Sequence, residues 1–159
     1  MVMKVEYKED GKFTKIFLSG SIDEESESHL AEIAEKAQEN CIFNLKNLEG
    51  LNSLGVKNWV SFFRNFHIGR NLRFEECPSY FILQVNMIPQ LIGSAAIDSF
   101  FSDLYCPNCD NEMSLLFYTD KDYQTLCQEM TTVRCEDCQE VMKLGEDIEV
   151  FLEFLNRDQ

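Results

Sequence analysis

Four of the seven cysteines in this 159-residue chain form two pairs with the same internal spacing, Cys106-Pro107-Asn108-Cys109 and Cys135-Glu136-Asp137-Cys138, 25 residues apart. Two residues between cysteines let one tight turn aim both sulfurs at a common point. Two such turns offer four soft thiolates, the donor set that closes a tetrahedron around Zn2+. The intervening segment is somewhat longer than in most zinc-ribbon sites, and a longer hairpin accommodates it. A closed four-sulfur site leaves no open coordination position, so the implied zinc is structural rather than catalytic. It would stabilise a small hairpin module that lacks a core of its own. Thiol redox chemistry is the rival reading, because CPNC has the form of an oxidoreductase motif. Such motifs usually open a helix after the first strand of a thioredoxin-like unit. Cys106 instead comes late and is followed by Asp110, Glu112 and the strand-like run MSLLFY. Cys41, Cys77 and Cys127 have no partner at ligand spacing, and Cys41, within the apolar run CIFNL, reads as core.

The second stretch with chemical content is LNSLGVKNWVSFFRNF, Leu51 to Phe66. Val56, Trp59, Val60, Phe62, Phe63 and Phe66 recur at three- and four-residue steps, which predicts a helix over about 53–67. Ser53 then stands at its start, where unpaired N–H groups and the positive end of the dipole suit a serine cap, worth roughly 1 kcal/mol. The same features suit a phosphate. Gly55 keeps one flank small.

Other chemistry is absent. The chain holds no nucleophile elbow, no phosphate-cradling glycine loop and no HExxH, so no enzyme is expected. His29 and His67 have no companion at ligand spacing. Lys and Arg number 14 against 28 Asp and Glu, a net charge of -14. That field repels phosphate backbones and anionic membranes, so nucleic acid is not an expected partner. No run approaches the ~18 apolar residues of a membrane span. The charged start MVMKVEYKEDGK has no signal core. With cysteines in metal-type spacing, these features place the chain in a reducing cytoplasm.

Elements that could hold these residues follow along the chain. Residues 2–7 and 13–18 read as strands of a hairpin around Asp10-Gly11. Asp23 is expected to cap a helix with Leu30, Ile33, Ala34 and Ala37 on one face. CIFNL reads as a short central strand, KNLEGLNS as a loop, and SYFILQV, after Pro78, as another strand. Asn86 and Pro89 open a third helix, thin at Gly93 to Ala96. A charged link joins MSLLFY to the second cysteine pair. The end, EDIEVFLEFLNRDQ, reads as an amphipathic helix with Ile148, Phe151, Leu152 and Leu155 inward. Strands alternating with helices imply a partly parallel, α/β sheet.

FLSGSID followed by IFNLKNLEGLNSLGV and a helix resembles the STAS family, the anti-sigma-factor-antagonist-like domains. The resemblance covers roughly the first hundred residues and the last helix. It implies a STAS-like mixed β-sheet with packed helices, and the cysteine module is an addition to the family pattern. The expected division is 1–104 for the STAS-like part, 105–143 for the zinc-ribbon-like insertion and 144–159 for a helix docking back. In that family a serine in the loop before the second helix is phosphorylated by a partner kinase. Ser53 stands at that position, with Asn52 where the family has aspartate and Leu54 where it has a second serine. The resemblance therefore implies a bacterial, non-enzymatic signalling or scaffold protein that binds a protein partner through Asn52, Ser53 and Gly55. The partner would be a serine kinase acting as an anti-sigma factor, with a phosphatase to reverse the mark. The alternatives are a nucleic-acid-associated zinc-ribbon protein, which needs a basic patch, and a thiol redox protein using the C-x2-C pairs.

Overall fold

The computed structural model describes residues 1–156. Strands β1 (Lys4–Asp10) and β2 (Phe13–Ile22) form the expected hairpin, with Lys4 opposite Ser19 and Asp10 opposite Phe13. Strands β3 (Asn40–Leu51), β4 (Asn71–Glu75) and β5 (Ala96–Ile97) then join in parallel, in the order β1-β2-β3-β4-β5. A parallel neighbour needs a long crossover. Helices α1 (Glu27–Lys36), α2 (Ser53–Phe66) and α3 (Ser79–Met87) lie in those crossovers. The chain is thus a mixed α/β protein.

On β2, Thr14, Ile16, Leu18, Gly20 and Ile22 are buried and their alternates half-buried, so one face of the sheet carries the core. The centre of that core is aromatic. Phe43 on β3 meets Trp59, Phe66 and Phe74 at centroid distances of 5.5, 5.9 and 5.2 Å. Burying each such ring contributes roughly 1.5–3 kcal/mol. The Trp59 indole N–H, which would be costly to leave unpaired, donates to the Leu91 carbonyl at 2.7 Å.

Several expectations change. α1 starts at Glu27, not after Asp23, and its N-cap residue is Ser26. Asp23 instead closes a turn, its carboxylate accepting the Glu25 N–H at 2.9 Å. β3 does not end at Leu45. Lys46 to Leu51, read as a loop, extends it because Ser19–Ile22 of β2 continue to pair there. SYFILQV is a helix, with Phe81, Ile82 and Val85 inward and Pro78 at the N-cap. A proline there gives up an N–H that the helix would leave unpaired anyway. Just upstream NLRFE, where no strand was expected, forms β4. The third helix shrinks to a 3-10 turn over Pro89–Leu91, and Ala96 enters β5.

A second sheet has the order β7-β6-β8, built from β6 (Ser99–Tyr105), β7 (Glu112–Tyr118) and β8 (Lys143–Leu144). Only Asp98 separates β5 from β6, so one extended segment passes from the first sheet into the second. The Asp98 N–H donates to the Phe74 carbonyl at 2.7 Å, and its carboxylate accepts two bonds from the Arg73 guanidinium. The charged link after β7 is helix α4 (Tyr123–Thr131), capped by Asp122, whose carboxylate accepts the Thr125 N–H at 2.8 Å. Leu126 and Met130 of α4 are buried. The expected terminal helix is short: α5 (Ile148–Phe151) passes into a 3-10 turn over Leu152–Asn156. The last three residues of the expected 144–159 helix lie outside the described residues. Phe151 and Phe154 pack on Phe100 of β6 at 5.8 and 5.4 Å, and Asn86 of α3 donates to the Val150 and Phe151 carbonyls.

Candidate functional site

Two turns bring the four paired cysteines together. β6 ends at Tyr105 and delivers Cys106, and residues 106–111 form the tip of the β6–β7 hairpin. There the Cys106 N–H donates to the Asn111 carbonyl at 2.8 Å, and the Asp110 N–H returns to the Cys106 carbonyl at 3.0 Å. The second turn repeats this pattern residue for residue. The Cys135 N–H donates to the Glu140 carbonyl at 2.8 Å, and the Gln139 N–H to the Cys135 carbonyl at 2.9 Å. Each turn closes through a left-handed residue directly after its second cysteine, Asp110 (φ 61°) and Gln139 (φ 66°).

The four sulfurs all lie within 4.8 Å of one another. Cys106 and Cys138 approach to 3.4 Å, and Cys109 and Cys135 to 3.6 Å. Zn–S bonds of about 2.3 Å in a tetrahedron place sulfurs about 3.8 Å apart, so the spacing fits a single metal ion. Both short contacts cross between the turns. A dithiol working within one C-x2-C has no such need of the other pair. Cys106 and Cys135 are fully buried, whereas Cys109 is exposed.

The surrounding donors favour thiolates. The Cys138 backbone N–H, then that of Asp137, lower the Cys135 thiol to about 6. The Asn108 side chain, then the Glu140 N–H, lower Cys138. At Cys109 the Asn111 N–H favours the thiolate, but the other thiols, Cys135 first, outweigh it and push the group up to about 12. Four thiols this close cannot all ionise without a cation between them. Asn108 and Asn111 were not singled out from the sequence, although their place beside the cysteines was the available signal. Asn111 also donates to the Cys135 sulfur at 3.7 Å. Of the other cysteines, Cys41 and Cys77 are buried in the body.

The loop before α2 is organised differently from the sequence expectation. Asn52, not Ser53, is the N-cap. Its backbone is extended (φ -86°, ψ 176°), and its side-chain oxygen accepts the Gly55 N–H at 2.7 Å. Its amide nitrogen donates to Glu24 at 2.9 Å and holds that carboxyl below the usual range. Ser53 is therefore the first helical residue. Its side chain is exposed, and its hydroxyl makes no hydrogen bond among the described residues. Leu54 beside it is 53% exposed. Gly55 faces inward, where a Cβ would sit 1.9 Å from the Ile22 carbonyl oxygen. That contact presses the start of α2 against the end of β2, and Asn58 secures it by donating to the Asp23 carbonyl at 3.2 Å.

No helix among the described residues is long and apolar enough to cross a membrane. No family model matches the chain, and no curated protein sequence matches it. Among solved structures, the chain is similar to an anti-sigma factor antagonist from Mycobacterium paratuberculosis, at 12% identity and a TM-score of 0.47, covering 55% of this chain and 79% of that one. It is also similar to the anti-sigma factor antagonist SpoIIAA in its unphosphorylated form, at 19% identity and a TM-score of 0.36, over 46% of this chain and 72% of that one.

Proposed function

We propose that this is a non-enzymatic, cytoplasmic signalling or scaffold protein that binds a protein partner at the Asn52-Ser53-Leu54 loop and the face of α2, with Ser53 as the phosphoacceptor. The observation that carries this reading is the free, exposed Ser53 hydroxyl at the first turn of α2, next to the exposed Leu54. Asn52 does the capping, so Ser53 is available for modification without loss of a structural bond. A phosphate there would bring nearly two negative charges. On a chain already at -14 it would repel an acidic partner and disrupt an apolar contact on Leu54. The partner that fits is a serine kinase of the anti-sigma-factor type, with a phosphatase to restore the free hydroxyl.

The same reading assigns a structural Zn2+ to Cys106, Cys109, Cys135 and Cys138. The metal would hold together two turns that the Asn111 to Cys135 bond and the small second sheet also join. We take 1–104 as the STAS-like part, 105–143 as the metal module and 144–159 as the returning segment.

Intact mass of the protein from its own source tests both parts. The expected result is one zinc increment that is lost on denaturation, and a phosphate increment that is lost in Ser53→Ala. Photo-crosslinking from position 54 should capture one partner, with capture reduced at least about tenfold in Ser53→Asp, a difference near 1.4 kcal/mol. Equal capture by Ser53→Asp and wild type would overturn the switch.

A further inference from the structure

Strand β7 is an open edge. The Cys106 N–H to Asn111 bond and the Thr119 N–H to Asp98 bond fix which residues of the β6–β7 ladder face one another in hydrogen-bonded pairs. By the alternation of an antiparallel ladder, Met113, Leu115 and Phe117 turn their backbone groups toward β6. Glu112, Ser114, Leu116 and Tyr118 turn theirs outward. β7 ends the order β7-β6-β8, so no strand among the described residues receives those groups. Edges are usually blunted by charge. The outer strand of the first sheet, β1, follows that rule with Lys4, Glu6, Lys8, Glu9 and Asp10. β7 reads EMSLLFY and carries one charge, at Glu112.

We infer that β7 is a docking edge for an extended segment of a protein partner in which apolar residues alternate with Lys or Arg. This site is separate from the Ser53 loop and does not depend on that reading. The free backbone groups specify an extended chain, because only a strand pairs with them in register. The two faces specify its side chains. On one face Met113, Leu115 and Phe117 continue the buried side of the sheet, so the added strand presents apolar residues there. On the other face Glu112 and Ser114 stand opposite Tyr105 and Asp103. These residues and Gly145 line a hollow of about 580 Å³ with two carboxylates. Asp103 takes one bond from the Ser79 hydroxyl at 2.6 Å, and neither it nor Glu112 is in an ion pair among the described residues, while Lys143 stands opposite Tyr105 and Lys46 lines the adjoining hollow with Asp103 and Ser114. Basic side chains on the added strand complement the unpaired Glu112 and Asp103 carboxylates, on a chain whose net charge is -14. A second copy is the poorer occupant. Antiparallel self-pairing centred on Leu115 sets Asp110 opposite Asp120, between chains that each carry -14.

The test uses the full-length protein and the peptide acetyl-Lys-Val-Lys-Val-Lys-Val-Lys-amide, with its glutamate counterpart as control. Fluorescence anisotropy and residue-resolved amide hydrogen exchange are the readouts. The lysine peptide should bind and slow exchange at Ser114, Leu116 and Tyr118 by about tenfold or more at saturation. The glutamate peptide should not bind. Ser114→Pro removes an outward N–H and no β6–β7 bond, and should abolish protection. Glu112→Lys, which leaves the ladder intact, should weaken binding about fivefold or more. The inference fails if those amides stay unprotected. It also fails if Ser114→Pro, shown folded by its exchange pattern elsewhere, binds the peptide as wild type does. Sedimentation of a dimer with those amides already protected would give the edge to a second copy and overturn the assignment.

Discussion

At Asn52 and Ser53, neighbours in sequence have unlike duties. Asn52 caps α2 through its bond to the Gly55 N–H, whereas the Ser53 side chain makes no hydrogen bond among the described residues. Asn52→Ala should therefore destabilise the protein by about 1 kcal/mol, and Ser53→Ala by no more than a few tenths, both read from denaturant midpoints. The sequence reading gave the cap to Ser53, because serine and asparagine are equally good caps and only the backbone of residue 52 decides between them. The cysteines were legible for the opposite reason. Their spacing alone forces a turn, and two equal turns can share one ion. Tyrosines give a pH prediction at the same scale. Burial, with Glu32 adding to it, raises the Tyr7 phenol to about 12, and burial also raises Tyr80, whose hydroxyl donates to the Leu48 carbonyl at 2.7 Å. Folding favours the neutral phenols, so this contribution is complete below the ordinary value near 10 and is lost as pH climbs through the raised values. Tyrosinate absorbance should show these two ionising late, and Tyr80→Phe should reduce the alkaline fall in stability.

Among elements, the strongly periodic ones were legible. The β1–β2 hairpin and α2 stand almost where the pattern put them, since Asp10-Gly11 and the aromatic stripe each admit one reading. SYFILQV was misread because seven largely apolar residues have no period to distinguish a buried strand from a buried helix. Tertiary contacts decide it, through Phe81, Ile82 and Val85 packing inward and Tyr80 reaching β3. β4 was missed because Arg73 and Glu75 make NLRFE look like a surface loop. Arg73 is in fact paired with Asp98, and Glu75 with Lys15 at 3.1 Å. The cysteine turns belong to the second sheet, which sets what their loss would do. A metal chelator or Cys135→Ser should raise amide exchange in β7, β8 and α4 while α1, α2 and β1 to β3 keep their protection. Equal loss of protection everywhere would show that the four-cysteine cluster supports the whole fold rather than the second sheet alone.

The molecule as a whole is joined at Phe100. This buried ring lies 6.0 Å from Phe117 of the second sheet and within 5.8 Å of Phe151 and Phe154 of the returning segment. Phe100→Ala should cost about 3–5 kcal/mol. Because the ring is shared, both sheets should melt earlier in a single transition, visible as coincident curves from Trp59 fluorescence and from far-ultraviolet dichroism. Two separated transitions would mean that the sheets unfold independently. The order of the first sheet has a consequence for how the chain is made. Its strands lie side by side in the order in which they leave the ribosome, so each can pair with a neighbour already present. Phe100 has to wait. Its cover, Phe151 and Phe154, lies well downstream in the chain, and until those residues emerge the nascent chain carries an apolar scar that a chaperone can hold.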